Sequence, residues 1–150
     1  MFSFVPGILQ PFTDTQQAEP VVANRVADRL AEGALGSPAQ PYALDETCTV
    51  EFFQGNTPAT CNYEGSTLND RVGVTGRTSV NVTLLGNVTG DNEQERLCRA
   101  NNRSLIVAGH SECSTTLAAG SPVPQGSSPI TARRVAYLNG TAISIRVTTW

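Results

Sequence analysis

Between residues 20 and 35, Val22, Val26 and Leu30 recur at every fourth position with Ala23, Ala27, Ala31 and Ala34 beside them. Asn24, Arg25, Asp28, Arg29 and Glu32 fill the positions between. That period gathers the apolar residues on one face and predicts an amphipathic helix. Pro20 suits a first helical turn, and Gly36 followed by Pro38 predicts a left-handed cap and a stop. After a proline-rich joint at 37–42 the apolar period shortens to two. Residues 47–53, 60–63, 77–85, 104–108, 130–138 and 141–149 then read as strands. Residues 93–100 read as a short helix, and 119–129, with prolines at 122, 124 and 129, as a loop.

Two of these runs fix more than an element type. Asn139-Gly140 reads as the tip of a two-residue hairpin joining 130–138 to 141–149. Ile143, Ile145 and Val147 alternate with Ser144, Arg146 and Thr148, while Val135 and Tyr137 alternate with Arg134 and Ala136. One face of the hairpin is therefore expected to be apolar and to pack on the helix through Val22, Val26 and Leu30, because a two-stranded ribbon alone is marginal. The expected fold class is α+β: an N-terminal amphipathic helix packed on a mainly antiparallel β-sheet.

The cysteines add covalent staples to that picture. Cys48, Cys61, Cys98 and Cys113 form an even set without a C-x-x-C pair, which removes the usual zinc-ribbon and thioredoxin-like readings. Strands 47–53 and 60–63 flank the cluster Gln54-Gly55-Asn56-Thr57-Pro58, and a hairpin folded there sets Cys48 opposite Cys61. Cross-strand Cα atoms lie about 4.5–5.5 Å apart, a separation that a disulfide spans. Cys98 and Cys113 then pair by elimination.

The chain has 150 residues, 39% of them apolar and 15% charged, with a formal net charge of −3. That suits one ordinary globular domain and excludes a disordered tail or a charged helical rod. The 10 basic residues are all Arg and are scattered, so no nucleic-acid partner is expected. Asn81-Val82-Thr83, Asn87-Val88-Thr89, Asn102-Arg103-Ser104 and Asn139-Gly140-Thr141 satisfy the glycosylation pattern. Val80, Val82 and Leu84 face one way along 79–85, which puts Asn81 and Thr83 on the solvent side. Asn139 falls at a hairpin tip, so N-linked glycans are expected at Asn81, Asn87, Asn102 and Asn139. With the disulfides, these sequons point to an extracellular or cell-surface chain.

Reactive chemistry is sparse. The chain has no phosphate-binding loop, no G-x-G-x-x-G turn and no H-E-x-x-H helix, and 1 His. Gly109-His110-Ser111-Glu112-Cys113 approaches the G-x-S-x-G nucleophile elbow but lacks its last Gly. Cys98, His110 and Cys113 could join a zinc site by count, although their spacing matches no common finger. The expected chain is not an enzyme, with no catalytic residue, no metal and no cofactor.

Residues 1–12 include Phe2, Phe4, Val5, Ile8, Leu9 and Phe12, yet are too short to span a bilayer and carry Pro6 and Pro11. They read as the end of a truncated membrane segment, as an arm that packs on a neighbour, or as a strand or loop over the domain's own core. The order of parts continues with Asn24-Arg25-Val26-Ala27-Asp28-Arg29-Leu30, the run Tyr42-Ala43-Leu44-Asp45-Glu46-Thr47-Cys48-Thr49-Val50-Glu51-Phe52-Phe53, and Asn81-Val82-Thr83. In that order the chain resembles the small, membrane-anchored, pilin-like secreted proteins of haloarchaea, most of them of unknown function. It departs from them in lacking a full hydrophobic helix and in being less acidic. The absence of Lys fits such a source. The resemblance implies a segment 1–14 that anchors or polymerises the subunit, a helix within 15–36, and a β-rich extracellular head over 37–150 that forms one domain with the helix. The expected function is that of a non-enzymatic extracellular structural or adhesion subunit, self-associating or joining other surface or pilus subunits, with membrane anchoring through the N-terminus. A virion decoration or tail subunit from a high-GC host is the alternative, and a secreted hydrolase acting through Ser111 a third.

Overall fold

The computed structural model describes residues 20–37, 39–74, 78–90 and 93–150. Helix α1, Pro20–Arg29, runs without a break into a π-helical turn, Leu30–Ala34. Ala23, Val26, Ala27, Leu30 and Ala31 are buried on one side, as the four-residue spacing requires. The end of the helix differs from expectation. Leu35 N–H donates to Leu30 carbonyl across the wide turn, and Gly36 adopts no left-handed conformation but enters strand β1, Gly36–Ser37, directly. A Cβ there would stand 2.5 Å from the Ala43 carbonyl oxygen, so Gly36 serves close approach rather than capping. The proline-rich joint is thus a small antiparallel pair of β1 with β2, Gln40–Leu44.

Residues 47–53 are helical, not a strand. Helix α2 spans Glu46–Gln54; the Asp45 carboxylate accepts from Cys48 N–H at 2.9 Å as its N-cap, and Gly55, at φ 86°, closes its C-terminus. Cys48, Thr49 and Phe52 thereby share the inward face, while 60–63 forms turns and bends. Helix α3, Leu68–Val72, is capped by the Thr67 hydroxyl and by Gly73.

Strands β3 (Val80–Gly86), β8 (Ile130–Leu138) and β9 (Thr141–Thr149) make the centre of the sheet. The remaining strands are β4 (Glu95–Ala100), β5 (Leu105–Val107), β6 (Cys113–Thr116) and β7 (Ala118–Gly120). The order is β1-β2-β8-β9-β3-β4-β5, antiparallel except where β2 runs parallel to β8. The expected short helix at 93–100 is strand β4, held between β5 and β6 and joined to the end of β3. Within the expected loop at 119–129, the first residues belong to β7. At Leu117 the chain passes from pairing with β4 to pairing with β3: its N–H donates to Leu97 carbonyl and its carbonyl accepts from Leu84 N–H.

Helix α1 covers one face of the β8–β9–β3 sheet, and the core lies between them. Val80, Val82, Leu84, Ile143, Ile145 and Val147 all point inward, as their alternation predicts. Strand β8 faces the opposite way from the expected one: Ala132, Ala136 and Leu138 are buried, whereas Val135 and Tyr137 are 62% and 54% exposed. Pairing fixes this, because Ala136 is opposite Ile143 and Leu138 opposite Thr141, and cross-strand partners share a face. Small residues on both surfaces, Ala23, Ala27 and Ala31 against Ala132 and Ala136, suit close packing of helix on sheet. Arg134 also lies on the helix side; its Nε donates to Asp28 at 2.6 Å and its Nη2 to Asn24 at 3.2 Å.

Candidate functional site

Both expected disulfides are present, Cys48–Cys61 with Cα atoms 5.6 Å apart and Cys98–Cys113 at 5.7 Å. The first joins a helical turn to a loop rather than two hairpin strands, so the pairing stands although the expected hairpin does not. Around it, the Tyr63 hydroxyl donates to the Cys48 carbonyl at 2.7 Å, and the Tyr63 ring meets Phe52 edge-on at 5.2 Å. Arg71 lies over the other side of this cluster, 4.9 Å from the Phe52 ring centre, and donates to the Phe52 and Thr67 carbonyls. Burial pushes the Tyr63 hydroxyl up to about 12 and holds the Arg71 guanidinium below its usual range. These groups lock α2, the 61–63 turn and α3 together. With all four cysteines in bridges, Cys98 and Cys113 have no thiolates to offer a metal with His110. The two bridges mark an oxidising environment.

His110, Ser111 and Glu112 occupy an exposed turn between β5 and β6, a strand–turn–strand context unlike the strand-to-helix turn of a nucleophile elbow. His110 Nδ1 accepts from Glu112 N–H at 3.0 Å, which ties the imidazole to its own turn rather than to Ser111.

The sequon asparagines divide into two kinds. Asn87, Asn102 and Asn139 are exposed at turns, Asn139 with φ 53° beside Gly140 at φ 79°, the paired left-handed conformation of a two-residue hairpin. Asn81 is half-buried on the outer face of β3, and its Nδ2 donates to the Ser121 carbonyl at 2.9 Å. Its neighbour Thr83, expected on the solvent side, is buried at 2% exposure with its hydroxyl donating to Asn81 Oδ1. The apolar residues Phe2, Phe4, Val5, Ile8, Leu9 and Phe12 lie outside the described residues. No helix among the described residues is long and apolar enough to cross a membrane.

The outer face of the sheet also carries a site that no sequence motif announces. Between the outer surface of β8, β9, β3 and β4 and the segment 121–129 lies a cavity of about 830 Å³. Arg96, Arg133 and Arg146 project into it, beside Asn81, Thr131 and Thr148. Arg133 and Arg146 are direct cross-strand partners. Burial, and then the like charges of Arg133 and Arg96, hold the Arg146 guanidinium below its ordinary range. Among the described residues, none of these three arginines has a carboxylate partner. Asn81 anchors the wall of the cavity through Ser121, and Gly120, at φ 99°, lets β7 approach β3 where a Cβ would meet the Val80 carbonyl at 2.2 Å. The signal for one pair was in the sequence: Arg133 and Arg146 are equidistant from the Asn139-Gly140 turn. Arg96 lies on β4, where the sequence pattern predicts a helix.

Comparison with curated proteins and with solved structures finds no match. A family model does match, over residues 1–150, and the chain belongs to that family, DUF7287, a family of unknown function.

Proposed function

We propose that this chain is a non-enzymatic extracellular structural or adhesion subunit with a pilin-like layout, exposed at the cell surface. The observation that carries the reading is that α1 is fixed to the β8–β9 sheet by a buried apolar stripe and by the Asp28–Arg134 pair. The chain before Pro20 therefore leads into a rigid, disulfide-stapled head. In this reading the apolar sequence 1–12 joins the head to copies of itself, to other surface or pilus subunits, or to a membrane. Two disulfides in a 150-residue chain support a place outside the cytoplasm. Exposed sequons at Asn87, Asn102 and Asn139 support N-linked glycans on the head, with Asn81 a more restricted acceptor.

The test compares the full chain with residues 13–150, both oxidised, by size-exclusion chromatography with light scattering and by flotation with phosphatidylglycerol vesicles. The shorter chain is expected to remain a folded monomer that neither assembles nor floats, while the full chain does one or the other. Unchanged assembly or membrane association after the deletion would overturn the reading.

A further inference from the structure

Arg133 and Arg146 are opposed on adjacent strands, where Cβ atoms stand about 4.5–5.5 Å apart and like charges repel. Arg96 joins them from one diagonal step away: it pairs with Leu85, two residues along β3 from Thr83, the partner of Arg146. The chain has more acidic than basic residues, 13 against 10, yet the cavity lining contains no Asp or Glu among the described residues. Among the described residues no carboxylate pairs with these three guanidinium groups of one concave site, and an anionic ligand would supply the counter-charge.

The rest of the lining narrows the ligand class. At about 830 Å³ the cavity is within the range of small-molecule sites and far larger than one oxyanion needs. The Thr131 and Thr148 hydroxyls, 3.3 Å apart, and the Asn81 amide add neutral donors and acceptors. Val123 and two prolines give an apolar wall, and no aromatic ring among the described residues lines the site. Fork-shaped cations beside hydroxyl and amide groups match a ligand that carries both an anionic group and many hydroxyls.

We infer that this groove binds an acidic saccharide, with the carboxylate or sulfate of a sugar held by Arg96, Arg133 and Arg146 and its hydroxyls bonded by Thr131, Thr148 and Asn81. The inference rests on described residues of the sheet and not on assembly through residues 1–12, so either reading can fail without the other.

The test uses the oxidised full chain, produced without glycans, in titration calorimetry against polygalacturonate oligomers, dextran sulfate and neutral dextran. Polygalacturonate reports carboxylate recognition and dextran sulfate reports sulfate recognition. At least one is expected to bind, more weakly as salt is raised, while neutral dextran does not. Arg133→Gln and Arg146→Gln are each expected to weaken that binding about tenfold, whereas Arg25→Gln, the same charge change on the exposed side of α1, leaves it unchanged. The two groove variants are also expected to unfold at or above the wild-type temperature without ligand, because each removes a cross-strand repulsion; this separates lost binding from lost folding. Absence of binding to both acidic polymers, equal weakening by Arg25→Gln, or wild-type affinity in both groove variants would overturn the inference. Equal binding of polyglutamate or oligo-dT would overturn the saccharide class.

Discussion

Leu138→Ala and Tyr137→Ala test the facing of β8, because these neighbours point to opposite sides of the sheet. Leu138 is 1% exposed in the core beneath α1, whereas Tyr137 is 54% exposed on the outer face opposite Ala142. Truncating a buried Leu loses the transfer free energy of its removed atoms and leaves a cavity, together about 2–5 kcal/mol. For a domain of this size each kcal/mol lowers the unfolding midpoint by about 2–4 °C, so a mid-range cost of about 3 kcal/mol corresponds to a fall of about 6–12 °C. Truncating Tyr137 sacrifices mainly strand propensity and one cross-strand contact, about 1 kcal/mol or less. Thermal unfolding of both oxidised variants, followed by far-ultraviolet circular dichroism, measures the difference. A larger loss for Tyr137→Ala than for Leu138→Ala would place Tyr137 in the core and refute the register from which the outer arginine groove follows.

Tyr63 gives a pH-dependent signature. Its hydroxyl ionises at about 12 in the folded chain against about 10 when unfolded. The neutral form is thus favoured by folding, and its contribution should be fully present below about pH 10 and decline as pH rises toward 12. Tyr63→Phe should remove the highest-pH step in tyrosinate absorbance and cost about 1–2 kcal/mol at neutral pH through the lost bond to the Cys48 carbonyl. Replacing Cys48 and Cys61 together by Ala should lower stability by about 3 kcal/mol in urea unfolding, given a sequence separation of 13. Peptide mapping that joined Cys48 to Cys98 or Cys113 would contradict the pairing behind that figure. Expressed in a glycosylating host, the chain should carry glycan at Asn87, Asn102 and Asn139 ahead of Asn81, whose amide is tied to Ser121; site mapping by mass spectrometry checks the order.

The legible parts of the fold were those set by local chemistry. The α1 stripe, the Asn139-Gly140 turn and the inward set Ile143, Ile145 and Val147 follow from period and turn type. At 46–54 two local signals competed: Thr, Val and Phe favour a strand, but Asp45 as N-cap and Gly55 as C-terminal stop bracket a helix, and the caps prevailed. At 95–100 the reverse holds, since pairing with three neighbouring strands makes β4 a strand whatever its Glu and Arg content suggests. On β8, side-chain size is a poor guide: Val135 and Tyr137 are larger than Ala136, but the two-residue turn sets the register and so the face. The same register places Arg133 beside Arg146, whereas the approach of Arg96 depends on a long-range strand order that no local pattern encodes.

The intact mass of native chain isolated from its source, taken before and after reduction and alkylation, tests the extracellular assignment most directly. The expected result is no reactive thiol before reduction, four alkylated cysteines after it, and added mass that maps to the exposed sequons. Four thiols alkylated without reduction, on a chain of unmodified mass, would contradict an oxidising location and the surface role that depends on it.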